Sequence, residues 1–400
     1  CALSLVDSKL FINEMAEEVF SQVSVIIYEF TKETINSLGL LCETIPNFMV
    51  SKIDELKEYA KELVSEPDCD FLLLTILLNS FGKKCLPIDE EIINGLLAAP
   101  KMTEQYLNFF VKLAEEGGFY EKTPQLLCER IKSEMKTYSP IIALNLISKL
   151  PNNALYNKEE LLEYTISLNR SESLYTRASI PRAIFNLANK EDPDSHLNAV
   201  IRLMQLGIND RSSYVRMSVL EVLRDKCCDI LSKPEILQNF QIFLNDDSVI
   251  VRQITFDIFA KLSEQDPLYV ASYTRSAIQD AFFIIKHSPS IRETAKYTQT
   301  LPSLVRAAAS MIKVYSAGFI DICILLLTNP VTKLENFMDH DSYNLILIGV
   351  VDSLSLLAPL DPPQVYHYRE ILIPLICDIL LTNYKLYLSF SLFQFFSNLL

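Results

Sequence analysis

The stretch Asn209-Asp210-Arg211-Ser212-Ser213-Tyr214-Val215-Arg216 returns 36 residues later as Asn245-Asp246-Asp247-Ser248-Val249-Ile250-Val251-Arg252. In both copies a polar turn of Asn, Asp and Ser leads into an apolar segment. The segments keep register, with Leu220, Val222 and Leu223 lying over Phe256, Ile258 and Phe259. Arg177 stands 39 residues before Arg216 and Arg292 stands 40 after Arg252, each heading a similar apolar stretch. A recurrence at a nearly fixed interval belongs to an architecture rather than to one site.

Each period holds a second apolar segment with 3/4 spacing just before the arginine segment: Val200, Leu203 and Met204 in one, Leu237, Phe240 and Leu244 in the next. Two helices in about forty residues fall in the range of HEAT and armadillo arrays, whose helix pairs are too small to bury their own faces and must stack. The expected fold class is therefore all-α, an α-solenoid of HEAT-type antiparallel helix pairs. Asp210, Asp246, Asp247 and Ser248 stand where a side-chain oxygen can cap the amides of the second helix and add negative charge near its positive end. The structural repeat positions are Arg177, Asp210, Arg216, Asp246, Arg252 and Arg292. As in HEAT arrays, Arg216 and Arg252 are expected to reach turn aspartates of adjacent units, Asp210 and Asp246, in a ladder. The alternative is a row of solvated surface arginines.

Composition agrees with helices. The 400 residues contain eight glycines and no tryptophan, and no Gly- or Ser-rich linker divides them. Apolar runs such as 71–78 and 371–381 fall short of the ~20 residues that cross a bilayer, so no transmembrane segment is expected. The chain opens on Cys1 with no signal-like segment and stops inside an apolar helical pattern at Phe390–Leu400, which reads as a fragment that continues. Nine cysteines show no paired spacing and suit small hydrophobes in a reducing compartment. Adjacent Cys227 and Cys228 would point in different directions on a helix, against a redox pair. A formal charge of −14 disfavours direct nucleic-acid binding and leaves protein partners.

Residues 1–160 read as a degenerate helical-repeat region and 161–400 as the HEAT array proper. In the first part helices are expected over 11–38, 49–63, 71–81, 90–98, 103–115, 124–135, 141–150 and 158–167, separated by Pro, Gly and Asn breaks suited to antiparallel neighbours. After Arg292 the pattern loosens. Residues 328–343, with Pro330 and Asp339-His340-Asp341-Ser342, read as an inter-repeat loop, and helices resume over 345–357 and 371–381.

Little chemistry is written in the chain. No Gly-rich loop precedes a lysine, and no nucleophile turn or His-Glu-x-x-His or paired-Cys metal motif occurs. Asp339-His340-Asp341 is the one cluster with metal or acid-base residue types, and consecutive loop residues rarely converge on one ion. Asp192-Pro193-Asp194 and Asp361-Pro362-Pro363 read as helix starts with Asp as the cap or turn residue. No catalytic, cofactor-binding or metal residue is assigned.

From about residue 198 to 321 the chain resembles the HEAT region of the TOR (target of rapamycin) serine/threonine kinases, within the phosphatidylinositol-kinase-related kinases. The carrying residues are Gly207-Ile208-Asn209-Asp210 with Tyr214-Val215-Arg216, then Leu244-Asn245-Asp246 with Val251-Arg252. Asp266-Pro267-Leu268-Tyr269-Val270 and Ile312-Lys313-Val314-Tyr315 follow at the family's spacing. Val314 stands for the family's proline and Asp266 for its asparagine, and the later units lack the arginine, as in a divergent member. The resemblance implies a segment upstream of a kinase domain that is not in this chain, so the segment itself is non-catalytic and takes no cofactor. It further implies a cytoplasmic scaffold in growth and nutrient signalling, with peripheral association at endomembranes, whose partners are a raptor-type subunit and a second kinase copy. A free-standing HEAT adaptor, such as a transport receptor, phosphatase scaffold or coat component, remains the alternative. An enzyme hidden in a helical domain would need convergent polar residues in a pocket.

Overall fold

The computed structural model describes residues 16–27, 32–64, 72–98, 101–137, 140–188, 192–226, 228–328 and 337–382, with 395 and 397. Among these residues every regular element is a helix. The chain forms two compact units, residues 1–199 and 200–400.

Unit 1 contains α1 (Ala16–Ile27), α2 (Lys32–Thr44), α3 (Pro46–Ser51), α4 (Ile53–Val64), α5 (Leu72–Phe81), α6 (Glu90–Leu97), α7 (Glu104–Glu115), α8 (Thr123–Met135), α9 (Ile141–Lys149), α10 (Lys158–Ser167) and α11 (Leu174–Leu187). Alternate helices pack side by side in two layers. One layer runs α2, α5, α7, α9, α11, and the other runs α4, α6, α8, α10. The first layer carries the heavier apolar load. Tyr106, Phe109 and Phe110 on α7 and Leu144, Leu146 and Ile147 on α9 are fully buried. Local signals set the ends: the hydroxyl of Thr103 accepts from the Tyr106 amide at 3.2 Å, and Asn186 on α11 donates to the Ile147 and Leu150 carbonyls at the end of α9.

Two expected helices in this unit are divided. The helix read over 11–38 is α1 and α2, with 28–31, like 11–15, outside the described residues, and α2 runs on to Thr44. The helix read over 49–63 is α3 and α4, broken at Lys52. That break sets the Lys52 ammonium over the Phe20 and Phe48 rings, 5.2 and 6.0 Å from their centroids, and near Glu17 and Glu55. The pattern of apolar residues carries through the break, so periodicity alone could not show it.

Unit 2 holds α12 (Pro193–Asn209), whose first turns lie before the division, then α13 (Ser213–Lys226), α14 (Cys228–Leu231), α15 (Pro234–Leu237), α16 (Phe240–Leu244), α17 (Val249–Gln265), α18 (Ala271–His287) and α19 (Ile291–Ala307). It ends with α20 (Ile312–Thr328), α21 (Phe337–Leu360), α22 (Pro362–His367) and α23 (Arg369–Thr382). One layer is α13, α17, α19 and α21, and on its other side α18 packs on α20. The partner helix expected through Leu237, Phe240 and Leu244 is two short pieces, α15 and α16. Between them the amides of Asn239, Gln241 and Ile242 bond three residues back instead of four.

Residues 337–343, expected in a loop, form the first turns of α21, and 329–336 lie outside the described residues. Asp339-His340-Asp341 therefore stands on a helix. The helical signal is weak there because the polar run carries no apolar stripe. Both Asp-Pro motifs start helices as read: Pro193 opens α12 with the Asp194 amide on Asp192 at 3.1 Å, and Pro362 opens α22. By length and composition segments 309–328 and 341–360, with mean hydropathy 1.8 and 1.7, match a membrane span, a match that a core helix also makes. Here they serve as packed repeat helices, α20 against α21 and α21 against α19, burying Phe319, Ile320, Cys323, Val350 and Leu354.

The crossing of α19 and α21 brings backbones together. A methyl group on Gly349 would stand 2.5 Å from the Thr298 carbonyl oxygen and 2.8 Å from its carbon. Pro302, four residues on in α19, has no N–H to offer that carbonyl, so the helix is locally open on the side that α21 approaches. Helix propensity favours Ala over Gly by about 1 kcal/mol, whereas overpacking against fixed backbone costs about 1–3 kcal/mol. Gly349→Ala is therefore expected to destabilise unit 2, read as a lowered thermal midpoint. A raised midpoint would show that the two backbones are not in contact.

Candidate functional site: the repeat turns and an inter-repeat slot

Four helices, α11, α13, α17 and α19, begin with the same turn. The amide of the residue before the helix bonds a side-chain oxygen two residues back. These are Ser173 to Ser171 (3.3 Å), Ser212 to Asp210 (2.8 Å), Ser248 to Asp246 (2.8 Å) and Ser290 to Ser288 (3.2 Å). In the first three, an arginine at the fourth helical residue folds back over the turn. A terminal nitrogen donates to the carbonyl six residues earlier: Arg177 to Ser171 at 2.8 Å, Arg216 to Asp210 at 3.1 Å, and Arg252 to Asp246. A strong donor thus satisfies a carbonyl that the turn would otherwise leave unpaired, and a charge-assisted bond is about twice as strong as a neutral one.

The fourth turn keeps the serines but not the arginine. Ser290 caps α19 through the Glu293 amide, which puts Arg292 at the second helical residue, where it is exposed. Thr294 takes the fourth position, buried, and its hydroxyl bonds the Ser290 carbonyl at 3.2 Å. Arg292 is therefore two residues out of the register assigned from its spacing. Ser290 before Ile291 was the available signal.

Between α13 and α17 the arginine ladder has a carboxylate rung. Arg216 grips Asp246 of the next unit with two bonds, Nε to Oδ2 at 2.6 Å and a terminal nitrogen to Oδ1 at 2.8 Å. Arg252 reaches no carboxylate, because the turn of the next unit offers Ser288 where Asp246 stood. It donates instead to the Lys296 carbonyl at 3.1 Å and lies over the Tyr297 ring, 4.8 Å from its centroid. Asp246 is accordingly a hub. Its carboxylate takes Arg216 and the Ser248 amide, while its carbonyl takes Arg252. Asp210 and Asp246 close the turn rather than cap the helix amides, and Ser248 makes no side-chain cap. The bond to Asp246 holds the Arg216 guanidinium above its ordinary range. Burial pushes that of Arg252 down, with Tyr297, Asp246 and Asp247 opposing. Arg177 and Arg252, at 7% and 4% exposure, are not surface arginines.

Beside this network lies a slot of about 260 Å³ between consecutive helix pairs of unit 2. Its floor is Arg252 and Phe256 of α17 with Tyr297, Thr300 and Leu304 of α19. Gln241, Leu244 and Asn245 form one wall, and Tyr273, Ser276, Ala277, Asp280 and Ala281 of α18 the other. A second groove, of about 400 Å³, crosses α17, α19 and α21, where Asp257 and Arg306 pair at 2.8 Å. Among the described residues no three His, Cys, Asp or Glu side chains are grouped to hold a metal ion. Burial drives the Cys42 and Cys323 thiols up to about 12 and that of Cys85 to about 11, whereas Cys377 is exposed. Cys227 lies outside the described residues.

No family model matches this chain. It is similar to the serine/threonine-protein kinase tor1 of Schizosaccharomyces pombe, 28% identical over 123 residues, which are 31% of this chain and 5% of that protein. It is also similar to serine/threonine-protein kinase TOR of Oryza sativa subsp. japonica, 24% identical over 184 residues, 46% of this chain and 7% of that protein. The mTor kinase of Drosophila melanogaster is 25% identical over 145 residues, covering 36% and 6%. The matches thus span a small part of each kinase, and they bear out the resemblance to a divergent TOR HEAT region. Among solved structures, yeast importin-β (Kap95p) superposes over 92% of this chain and 49% of its own, with a TM-score of 0.63 at 14% identity. Kap121p bound to Pho4p does so over 96% and 41%, with a TM-score of 0.57 at 13% identity. At such identity the likeness shows the fold alone, an α-solenoid of HEAT-type helix pairs.

In a double-mutant cycle, Arg216→Ala and Asp246→Ala should couple by roughly 1.5–3 kcal/mol, the range for hydrogen bonds to charged groups. Additive losses in chemical denaturation would dismiss the rung. Phe256→Ala should cost about 3–5 kcal/mol, since the ring is 3% exposed on the inter-unit floor. Iodoacetamide at pH 8 should label Cys377 in the native protein and leave Cys42, Cys85, Cys128 and Cys323 unmodified until denaturant is added, as peptide mass mapping would show.

Proposed function

We propose that this chain is a non-catalytic HEAT-repeat scaffold segment of a TOR-type serine/threonine kinase acting in growth and nutrient signalling. In this reading it presents helix faces to a raptor-type subunit and to a second copy of the kinase in the cytoplasm, and binds no nucleic acid. The supporting observation is the similarity to TOR kinases from three organisms in a chain whose own turns repeat at Asp210–Arg216 and Asp246–Arg252. A scaffold role suits the physics of the fold, because stacked helix pairs bury one face each and leave the others to partners through many modest contacts. Exposed Ile242, Leu268, Phe283 and Val314 on the helices and turns of unit 2 are side chains of the kind such contacts use.

A second reading, a free-standing adaptor, is supported by the fold, which this chain shares with importin-β (Kap95p) and with Kap121p bound to Pho4p. Intact-mass measurement of the endogenous protein, captured with an antibody to the peptide 54–61, separates the two. The first reading expects a chain several times longer that contains a kinase domain and co-purifies with a raptor-type subunit. A chain of about this length with transport or coat components would overturn it in favour of the second.

A further inference from the structure

The slot between the α16/α17 and α18/α19 pairs holds a charge that the repeat network leaves incompletely used. Arg252 gives one terminal nitrogen to the Asp246 carbonyl and the other to the Lys296 carbonyl, while its Nε–H is buried with no acceptor. The carboxylate that would have matched it, on Asp246, is gripped by Arg216. A buried donor left unpaired has given up water with no bond in return, and an incoming acceptor removes that deficit. The slot exists because α16 is only five residues long, against seventeen for α18 across from it, and because Ser276, Ala277 and Ala281 give the α18 wall little bulk.

The lining states what would fit. Phe256, Leu304, Leu244 and the Tyr297 ring offer apolar surface to a short aliphatic stem, and Arg252 offers a cation to its head. The volume of about 260 Å³ suits one or two side chains rather than a nucleotide or a helix. Exposed Asp280 on the far wall is unfavourable to a second negative charge, which selects a lone carboxylate over an acidic run.

We propose that this slot receives a single glutamate or aspartate side chain from a bound polypeptide, whose carboxylate takes the unpaired Nε–H of Arg252. The site stands whether or not the parent protein is a TOR-type kinase, since its residues and spacing are those of this chain alone.

The test follows the arginine Nε–H resonances of the ¹⁵N-labelled chain by NMR, with that of Arg252 identified by its loss in Arg252→Lys. N-acetyl-glutamate methylamide is titrated as the probe, and N-acetyl-glutamine methylamide and free glutarate are the comparisons. The expected result is a saturable shift of the Arg252 resonance with the glutamate probe and roughly tenfold weaker binding of the glutamine probe, the ratio for loss of a charge-assisted bond. The shift should vanish in Ala277→Phe, which fills the slot without touching Arg252 and should retain the native helical signal. Ser276→Leu serves as a second filled variant should the first fail to fold. Equal binding of both amides, or a shift that survives in a folded filled variant, would overturn the carboxylate site. Tighter binding of glutarate than of the glutamate probe would overturn the assignment to a polypeptide side chain.

Discussion

The unit-to-unit order in the described repeats depends on a charge placed where a turn would otherwise waste a hydrogen bond. An arginine at the fourth residue of a helix reaches back to the carbonyl six residues earlier, and in α11, α13 and α17 it does so from the same position over the same turn. A helix pair cannot bury its own apolar face, so its neighbour must arrive at a defined angle and offset. The polar turn supplies that definition. A side-chain oxygen closes it from one side and a guanidinium from the other, and the helix that follows has little freedom in its starting direction. Asp246 extends the arrangement across units by holding Arg216 with its carboxylate while its own carbonyl holds Arg252.

Where this chemistry changes, packing changes with it. The turn before α19 has Ser288 in place of an aspartate and Thr294 in place of the arginine, so Arg252 bonds helix backbone at Lys296 and stacks on Tyr297. Gln253 beside it donates to the Gln299 carbonyl at 2.8 Å, which makes the α17–α19 contact one of side chain to backbone. Beyond it, Gly349 and Pro302 allow backbone to meet backbone between α19 and α21. Three successive contacts in one layer are thus held by three devices: an ion pair, donors to carbonyls, and a glycine approach.

Much of the fold was legible because its signals are local. The Asp-x-Ser turn, the 3/4 apolar spacing and the Asp-Pro helix starts act within a few residues, and α10 over Lys158–Ser167 and α8 to Met135 follow from them. What was not legible depends on contacts far apart in sequence. Spacing alone placed Arg292 with the other three arginines, whereas the cap at Ser290 shifts it by two positions and hands the core slot to Thr294. The breaks at Lys52 and between α15 and α16 leave no mark on the apolar pattern, because the same side chains stay buried on either side. The inter-unit slot is a by-product of one short helix and three small residues on another, and no linear motif encodes such a meeting. A cap rule sends the oxygens of Asp210 and Asp246 to helix amides, whereas they close the turn itself through an amide two residues on.

If the arginine fold-back orders its turn and the adjoining helix pair, native-state hydrogen–deuterium exchange of Arg252→Ala against the unmodified chain will register the loss at both places. Faster exchange is expected in the turn at 246–252 and in α19 around Lys296–Thr300, with α5, α7 and α9 unchanged, since repeats couple mainly to their neighbours. Unchanged protection at both the turn and α19 would contradict it, and so would a uniform rise across both units.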